Sequence, residues 1–263
     1  MSHLACVIPF YSGSSTLGRA LDSVFRTPIC DEVILVSDFS PEPIRSAISD
    51  RYAACERSGR LRIVEMGVNM GQAAARNLGA SLCLSPFLCF LDQDDEVLPE
   101  FYSSALQVLN DHPHLAAVEV TASIEREGEI LLSPDDVRHR MIMDSVPWNI
   151  IVRRPAFWLT GGFPTDGVFR TEAAGEDIAF KTALKACFNV AMLPMVGVRH
   201  HVRHGSATDR FLRRTSVGAN GEVVFHSRYS AECDGSLSAA LGQHVGRAVL
   251  NRAALAHLLD LNR

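Results

Sequence analysis

The chain has 263 residues, 47% of them hydrophobic, enough to bury a continuous core in one large domain or two closely packed halves. A formal net charge of −5 and a sequence pI near 6.0 argue against non-specific nucleic-acid binding, which needs a basic face to neutralise phosphates. Seven cysteines, an odd number with no C-x-x-C pair, exclude a zinc ribbon or thioredoxin-type motif and read as small hydrophobes in a reducing compartment.

The opening MSHLACVIPFYSG has no basic n-region, and its apolar run is cut by Pro9, so no secretory signal is expected. The longest apolar stretch, Leu78 to Leu91, contains Ser81, Ser85 and Pro86 and falls short of the ~20 residues of a membrane span. A cytoplasmic setting follows as an expectation, with any membrane contact peripheral and at the inner face.

In chain order, buried strands are predicted over Leu4–Pro9, Glu32–Ser37, Leu61–Glu65 and Phe87–Leu91, alternating with helices near Ser15–Phe25, Pro43–Ala54 and Met70–Leu82. That alternation predicts an α/β fold with a mixed, mostly parallel sheet flanked by helices. Asn69 is expected to cap the third helix. Pro99 starts a helix through about Asn110, and a strand follows over Ala116–Ser123. The charged segment Glu125–Arg140 reads as an exposed excursion. Strand-like Asn149–Arg153, a short helix led by Pro155, the Gly161-Gly162 turn, a helix over Glu176–Ala186 and the stretch Asn189–Val198 come next. A basic run then leads into a helical tail ending near Leu261. No linker separates independent domains, so residues 1–110 and 111–205 are read as two halves of one unit, with 206–263 a helical extension.

The segment FLCFLDQDDEVLP puts acids directly after an apolar strand, where loops at the C-terminal edge of a parallel sheet bind ligands. If extended geometry continues through the turn, Asp92 and Asp94 project to one side. Two close carboxylates repel unless a cation lies between them, and Mg²⁺ or Mn²⁺ takes carboxylate and phosphate oxygens together. An isolated D-x-D-D reads equally well as a solvated acidic turn before a helix. Glu176-Asp177, at a predicted helix start, reads on its own as a favourable helix-dipole contact.

The ordered set of motifs resembles the family 2 glycosyltransferases of GT-A fold, up to about residue 210. CVIPFYSGSSTLGRALDSVF, EVILVSDFS, NMGQAAARNLGA, FLDQDDEV and GGFPTDGVFRTEAAGEDIAF are similar, in that order, to the family's motifs. The resemblance implies a nucleotide-diphospho-sugar donor, a UDP-sugar first among them, and a glycan or lipid-linked hydroxyl acceptor. It also implies that 1–110 bind the donor and 111–205 the acceptor. Pro9 and Tyr11 would wall the nucleotide pocket, Asp38 would accept a hydrogen bond from the base, and Arg76 would face the nucleotide or its phosphates. Asp92 would meet ribose or metal, Asp94 would ligate Mn²⁺ or Mg²⁺, and Asp95 would orient the turn. Asp177, with Glu176 as alternate, would be the general base of an inverting reaction. In the run RHHVRHGSATDRFLRR, His204 would complete the metal shell or touch the diphosphate. Arg210, Arg213 and Arg214 read as solvated residues or as contacts for anionic lipid. Trp148 and Trp158 flank the acceptor half, and tryptophan is more often core than sugar platform.

Three positions depart from the family pattern. Ser37 and Phe39 stand where D-D-G-S has its first acid and its glycine, and Ser12 stands where asparagine is usual. A phenylalanine resists the backbone angle that a glycine takes freely. The departures keep open a non-catalytic nucleotide-sugar or glycan-binding protein, and a sugar-1-phosphate nucleotidyltransferase on a related α/β fold is a separate alternative. The loop PFYSGSSTLG lacks the arginine and lysine that would hold a triphosphate, which counts against the latter.

Overall fold

Alternation with both faces apolar is realised in β1 (Leu4–Phe10), all of whose residues are buried. Leu4, Cys6, Ile8 and Phe10 look into one core, and Ala5 and Val7 into another on the opposite side. The computed structural model describes residues 4–48, 50–170, 175–226 and 231–260. After β1 come α1 (Ser14–Phe25), β2 (Cys30–Ser37), α2 (Ile44–Ala47), α3 (Ala53–Arg57), β3 (Leu61–Glu65), α4 (Gln72–Leu82) and β4 (Phe87–Phe90). The helix expected over Pro43–Ala54 is broken. Ile48 turns extended, with φ −104° and ψ 117°, and a 3₁₀ turn at Asp50–Tyr52 restarts the chain. The buried Tyr52 fixes that restart, its hydroxyl 2.6 Å from Asp22 Oδ1 and 2.9 Å from the Gly18 carbonyl.

The second half adds β5 (Glu96–Val97), α5 (Pro99–Asp111), β6 (Leu115–Arg126), β7 (Glu129–Ile130), α6 (Val137–Asp144), β8 (Ile150–Arg153), α7 (Arg154–Leu159), α8 (Glu176–Cys187) and β9 (Asn189–His201). The strand order is β3-β2-β1-β4-β8-β6-β9-β5, with β7 on β6. Strands β1 to β4 run parallel, β8 and β5 run against them, and β6 pairs parallel with β9, so the sheet is mixed as expected. One sheet thus continues through both halves. The C-terminal ends of β1, β2, β3, β4 and β9 share one edge, and Tyr11, Asp38, Arg76 and the Asp92–Asp95 turn gather there.

The excursion expected over Glu125–Arg140 is partly core. Strand β6 extends to Arg126, Leu132 is buried, and the buried His139 has its Nε2 2.8 Å from the Ala122 carbonyl. The C-terminal extension is not wholly helical either. Helix α9 (Ala207–Arg214) leads into a hairpin of β10 (Thr215–Val217) and β11 (Val223–Phe225), and then into α10 (Ala231–Asp260). Leu261 lies outside the described residues. Helix α10 sets Ala248 against Ala183 and Cys187 of α8. Among the described residues no helix is long and apolar enough to cross a membrane. Cys6, Cys30, Cys83, Cys89 and Cys187 are buried free thiols and Cys55 a partly buried one, while Cys233 lies outside the residues whose side chains are described.

Helix α4 lies close on the sheet because Gly79 has no side chain. A Cβ there would come within 2.3 Å of Val7 Cγ1 and 3.2 Å of Val36 Cγ2. Gly79→Ala is expected to destabilise the fold by about 1–3 kcal/mol through overpacking, read as a lower urea midpoint. An unchanged midpoint would show that the contact relaxes without cost.

Candidate active site

The acid segment after β4 turns at once. Asp95 N–H donates to the Asp92 carbonyl at 3.1 Å, so extended geometry does not persist, and Asp92 and Asp94 take different partners. Asp92 Oδ1 accepts from Arg76 Nη2 at 2.6 Å, while Asp94 Oδ2 accepts from Arg203 Nε at 2.6 Å. Asp95, fully buried, accepts from His200 Nδ1 at 2.8 Å and from the His201 N–H at 3.0 Å, and so ties the turn to the end of β9. Burial pulls the His200 imidazole towards neutrality, but the Asp95 carboxylate outweighs it and raises its pKa. His200 also stacks on the buried Trp148, ring centroids 5.2 Å apart.

Arg76 on α4 does not face an open pocket. It is fully buried, and Nη1 lies 3.0 Å from Asp177 Oδ1 and 3.7 Å from Glu176 Oε1. Its guanidinium sits over the Phe163 ring at 5.4 Å. Glu176 and Asp177 occupy the first turn of α8, where a helix dipole favours acids. Glu176 Oε1 accepts from Gln72 Nε2 at 2.5 Å, and Oε2 is buried without a partner among the described residues. One guanidinium therefore faces three carboxylates. Burial raises the Asp177 pKa well above its ordinary 3.8, and Arg76 opposes this only in part because Glu176 and Asp92 push it back up. The same three acids raise the Arg76 pKa against the effect of its own burial.

On the other side of the edge, Tyr11 is half exposed, and its backbone is clamped by one side chain. Tyr11 N–H donates to Gln93 Oε1 at 2.9 Å and the Tyr11 carbonyl accepts from Gln93 Nε2 at 3.0 Å. Pro9 does not line this space: it is buried inside β1 opposite Val36. Asp38 uses both carboxylate oxygens on the loop after β3, accepting from Met70 N–H at 2.7 Å and Gly71 N–H at 2.8 Å. Asn69 does not cap α4. Its side chain donates to the Asp38 carbonyl and accepts from Arg170, and Gly71, with φ +88°, takes the cap position. A cleft of about 200 Å³ opens here, lined by Asn69, Gly71, Gln72, Phe169, Arg170 and Glu176. A wider hollow beside Glu32, Arg62 and Leu84 lies at the opposite edge of the sheet, away from all the candidate acids.

The basic run is sorted by the end of β9. His200 reaches Asp95, His201 Nε2 lies 2.8 Å from Glu96, and Arg203 reaches Asp94. His204 is exposed beside Arg213, so it is not drawn to the acid turn. Among the described residues no three His, Cys, Asp or Glu side chains converge as a metal-binding group. The donor set still suits a hard cation. The arginine bonds engage one oxygen each of Asp92 and Asp94, and Mg²⁺ is commonly held by one or two carboxylates with substrate phosphates supplying the rest.

Residues 5–161, more than half of the chain, match the sequence profile of Glycosyl transferase family 2. The chain belongs to that family. It is 25% identical over 237 residues to the succinoglycan biosynthesis protein ExoU of Rhizobium meliloti, covering 88% of this chain and 62% of ExoU. It is 29% identical over 127 residues to an uncharacterised glycosyltransferase of Haemophilus influenzae, covering 48% of this chain and 41% of that protein. The crystal structure of S. aureus TarS 1-349 in complex with UDP-GlcNAc shares the fold, with a TM-score of 0.64 at 18% identity over 79% of this chain and 60% of that one. The chain thus spans 41% and 62% of the length of these two relatives.

The raised Asp177 pKa fixes a sign. Between its unfolded and folded pKa the native state holds more protons than the unfolded one, so Asp177 erodes stability as pH rises above its ordinary 3.8 until the folded pKa is passed. Urea midpoints of parent and Asp177→Asn are expected to converge at low pH and to shift in the variant's favour as pH rises. A difference that does not change with pH would show that Asp177 has its ordinary pKa.

Proposed function

We propose that this chain is an inverting glycosyltransferase that moves a sugar from a nucleoside-diphosphate donor, a UDP-sugar first among them, to a hydroxyl of a glycan or lipid-linked acceptor. The observation that carries this reading is the buried Asp177, its proton affinity raised and its carboxylate tied through Arg76 to Asp92 of the acid turn. A general base works best with a pKa near the operating pH. In the proposed step the acceptor oxygen attacks the anomeric carbon, Asp177 takes the hydroxyl proton, and the bond from that carbon to the diphosphate breaks, its electron pair leaving with the nucleoside diphosphate. Arg76 holds Asp177 and Asp92 at fixed separation. Mn²⁺ or Mg²⁺ at Asp92 and Asp94 would supply positive charge to the departing diphosphate. The UDP and UDP-GlcNAc complexes of TarS support a nucleotide-sugar donor. The likeness to ExoU supports a place in polysaccharide biosynthesis.

The donor half of the reading is tested by the thermal midpoint with UDP, GDP, dTDP and CDP, with and without Mn²⁺. A ligand at ~100 times its dissociation constant stabilises by about 2.7 kcal/mol, or roughly 5–10 °C in a chain of this size. The shift is expected for at least one nucleotide, to depend on Mn²⁺, and to be lost in Asp94→Ala. No shift with any of the four would sink the donor assignment.

Asp177→Asn is expected to keep that shift while losing roughly 10²- to 10⁴-fold in transfer, the ordinary share of a general base. Transfer unchanged in Asp177→Asn, or loss only in Glu176→Gln, would move the base to Glu176.

A further inference from the structure

We propose that Phe39 holds the nucleobase of the donor by stacking, a role that rests on the nucleotide-sugar reading above. Phe39 has φ +53°, a left-handed conformation in which a bulky side chain is an outlier. Both neighbours are fixed. Asp38 binds the Met70 and Gly71 N–H groups, and Ser40 Oγ accepts from the Ser12 and Glu42 N–H groups, each at 3.1 Å. Between these anchors Phe39 is 60% exposed. Neither a strained backbone nor an apolar ring in solvent stabilises the fold, and such strain is kept where the surroundings impose it for a ligand.

The position selects the ligand. Asp38 N–H donates to the Phe10 carbonyl at 3.0 Å and Ser12 N–H to Ser40, so the loops bearing Tyr11 and Phe39 run side by side at the sheet edge. Ser12 has φ +48°, so the β1 loop carries the same kind of strain beside its own exposed ring. Met70, 43% exposed and hydrogen-bonded to Asp38 through its N–H, adds a third apolar group. Two exposed aromatic side chains on adjacent loops are available to a flat heterocycle, and the acid turn on the same edge would meet the charged end of the same molecule.

The experiment is calorimetric titration of UDP with Mn²⁺ into the whole chain as parent, Phe39→Ala, Phe39→Gly and Phe39→Tyr. Affinity is expected to fall roughly 5- to 100-fold in the Ala and Gly variants, the range seen when a ring stacked on a base is truncated, and to hold in Phe39→Tyr. Phe39→Gly is expected to melt at or above the parent, because glycine takes a positive φ without strain, so its loss of affinity is not a loss of fold. A parent that binds UDP with Ala and Gly variants that match it would overturn the role of Phe39 alone. So would a loss that Phe39→Tyr does not avert. A parent that binds no nucleoside diphosphate would overturn the donor reading and this proposal with it.

Discussion

Arg76 sits in the interior with none of its surface exposed, and its guanidinium meets Asp92, Asp177 and Glu176, acids from two stretches of chain that are 16 and 101 residues away at the hydrogen-bonded pairs. A buried cation without partners costs several kcal/mol, and so does a buried carboxylate, so neither end of this cluster folds well without the other. The consequence is geometric. Helix α4, the turn after β4 and the first turn of α8 are locked to one side chain, and the acid turn is thereby held against the residues expected to take the acceptor's proton. The phenyl ring of Phe163 under the guanidinium keeps water from one face of it.

The rest of the edge is held by similar long-range ties. Asp38 joins the β2 loop to the entry of α4, Gln93 clamps the β1 loop to the acid turn, and Asp95 joins that turn to the end of β9. These ties explain how the loops tolerate residues that local preference disfavours. Where the family has glycine, Phe39 still takes a positive φ, and where it has asparagine, Ser12 does so too. The backbone shape is imposed by anchors on either side, and the side chain at each position is then free to serve something other than the turn.

The first four strands are legible because a strand buried on both faces is a short apolar run, and four of them alternate with helices here. Their ends shifted by one or two residues at most. What stayed hidden was decided by partners far away in sequence. Asn69 looks like a cap, yet Asp38 accepts the N–H groups of Met70 and Gly71 and leaves Asn69 to face Arg170. In RHHVRH nothing local distinguishes one basic residue from the next. Only the point where β9 ends sends Arg203 to Asp94 and leaves His204 outside. Gln93 was inside the motif but unremarkable as an uncharged residue between acids. Pro9 read as a pocket wall because the family motif names it, whereas the parallel pairing of β1 with β2 buries it.

Charge balance ties these observations to the chemistry. At this edge Arg76 serves Asp92, Glu176 and Asp177, and Arg203 alone meets the Asp94 side chain, so acids outnumber the guanidiniums that neutralise them. A diphosphate brought to the same edge adds more negative charge, and repulsion of this kind at a few ångströms is not screened in a partly buried site as it is in water. Two responses are built into the arrangement. The proton affinity of Asp177 rises, which suits the general base proposed above. The remaining oxygens of Asp92 and Asp94 stay available to a divalent cation that the diphosphate itself would bring. In the mechanism proposed above, the same excess of acid that makes the cluster costly to bury would draw a metal-bound donor and keep Asp177 ready for a proton.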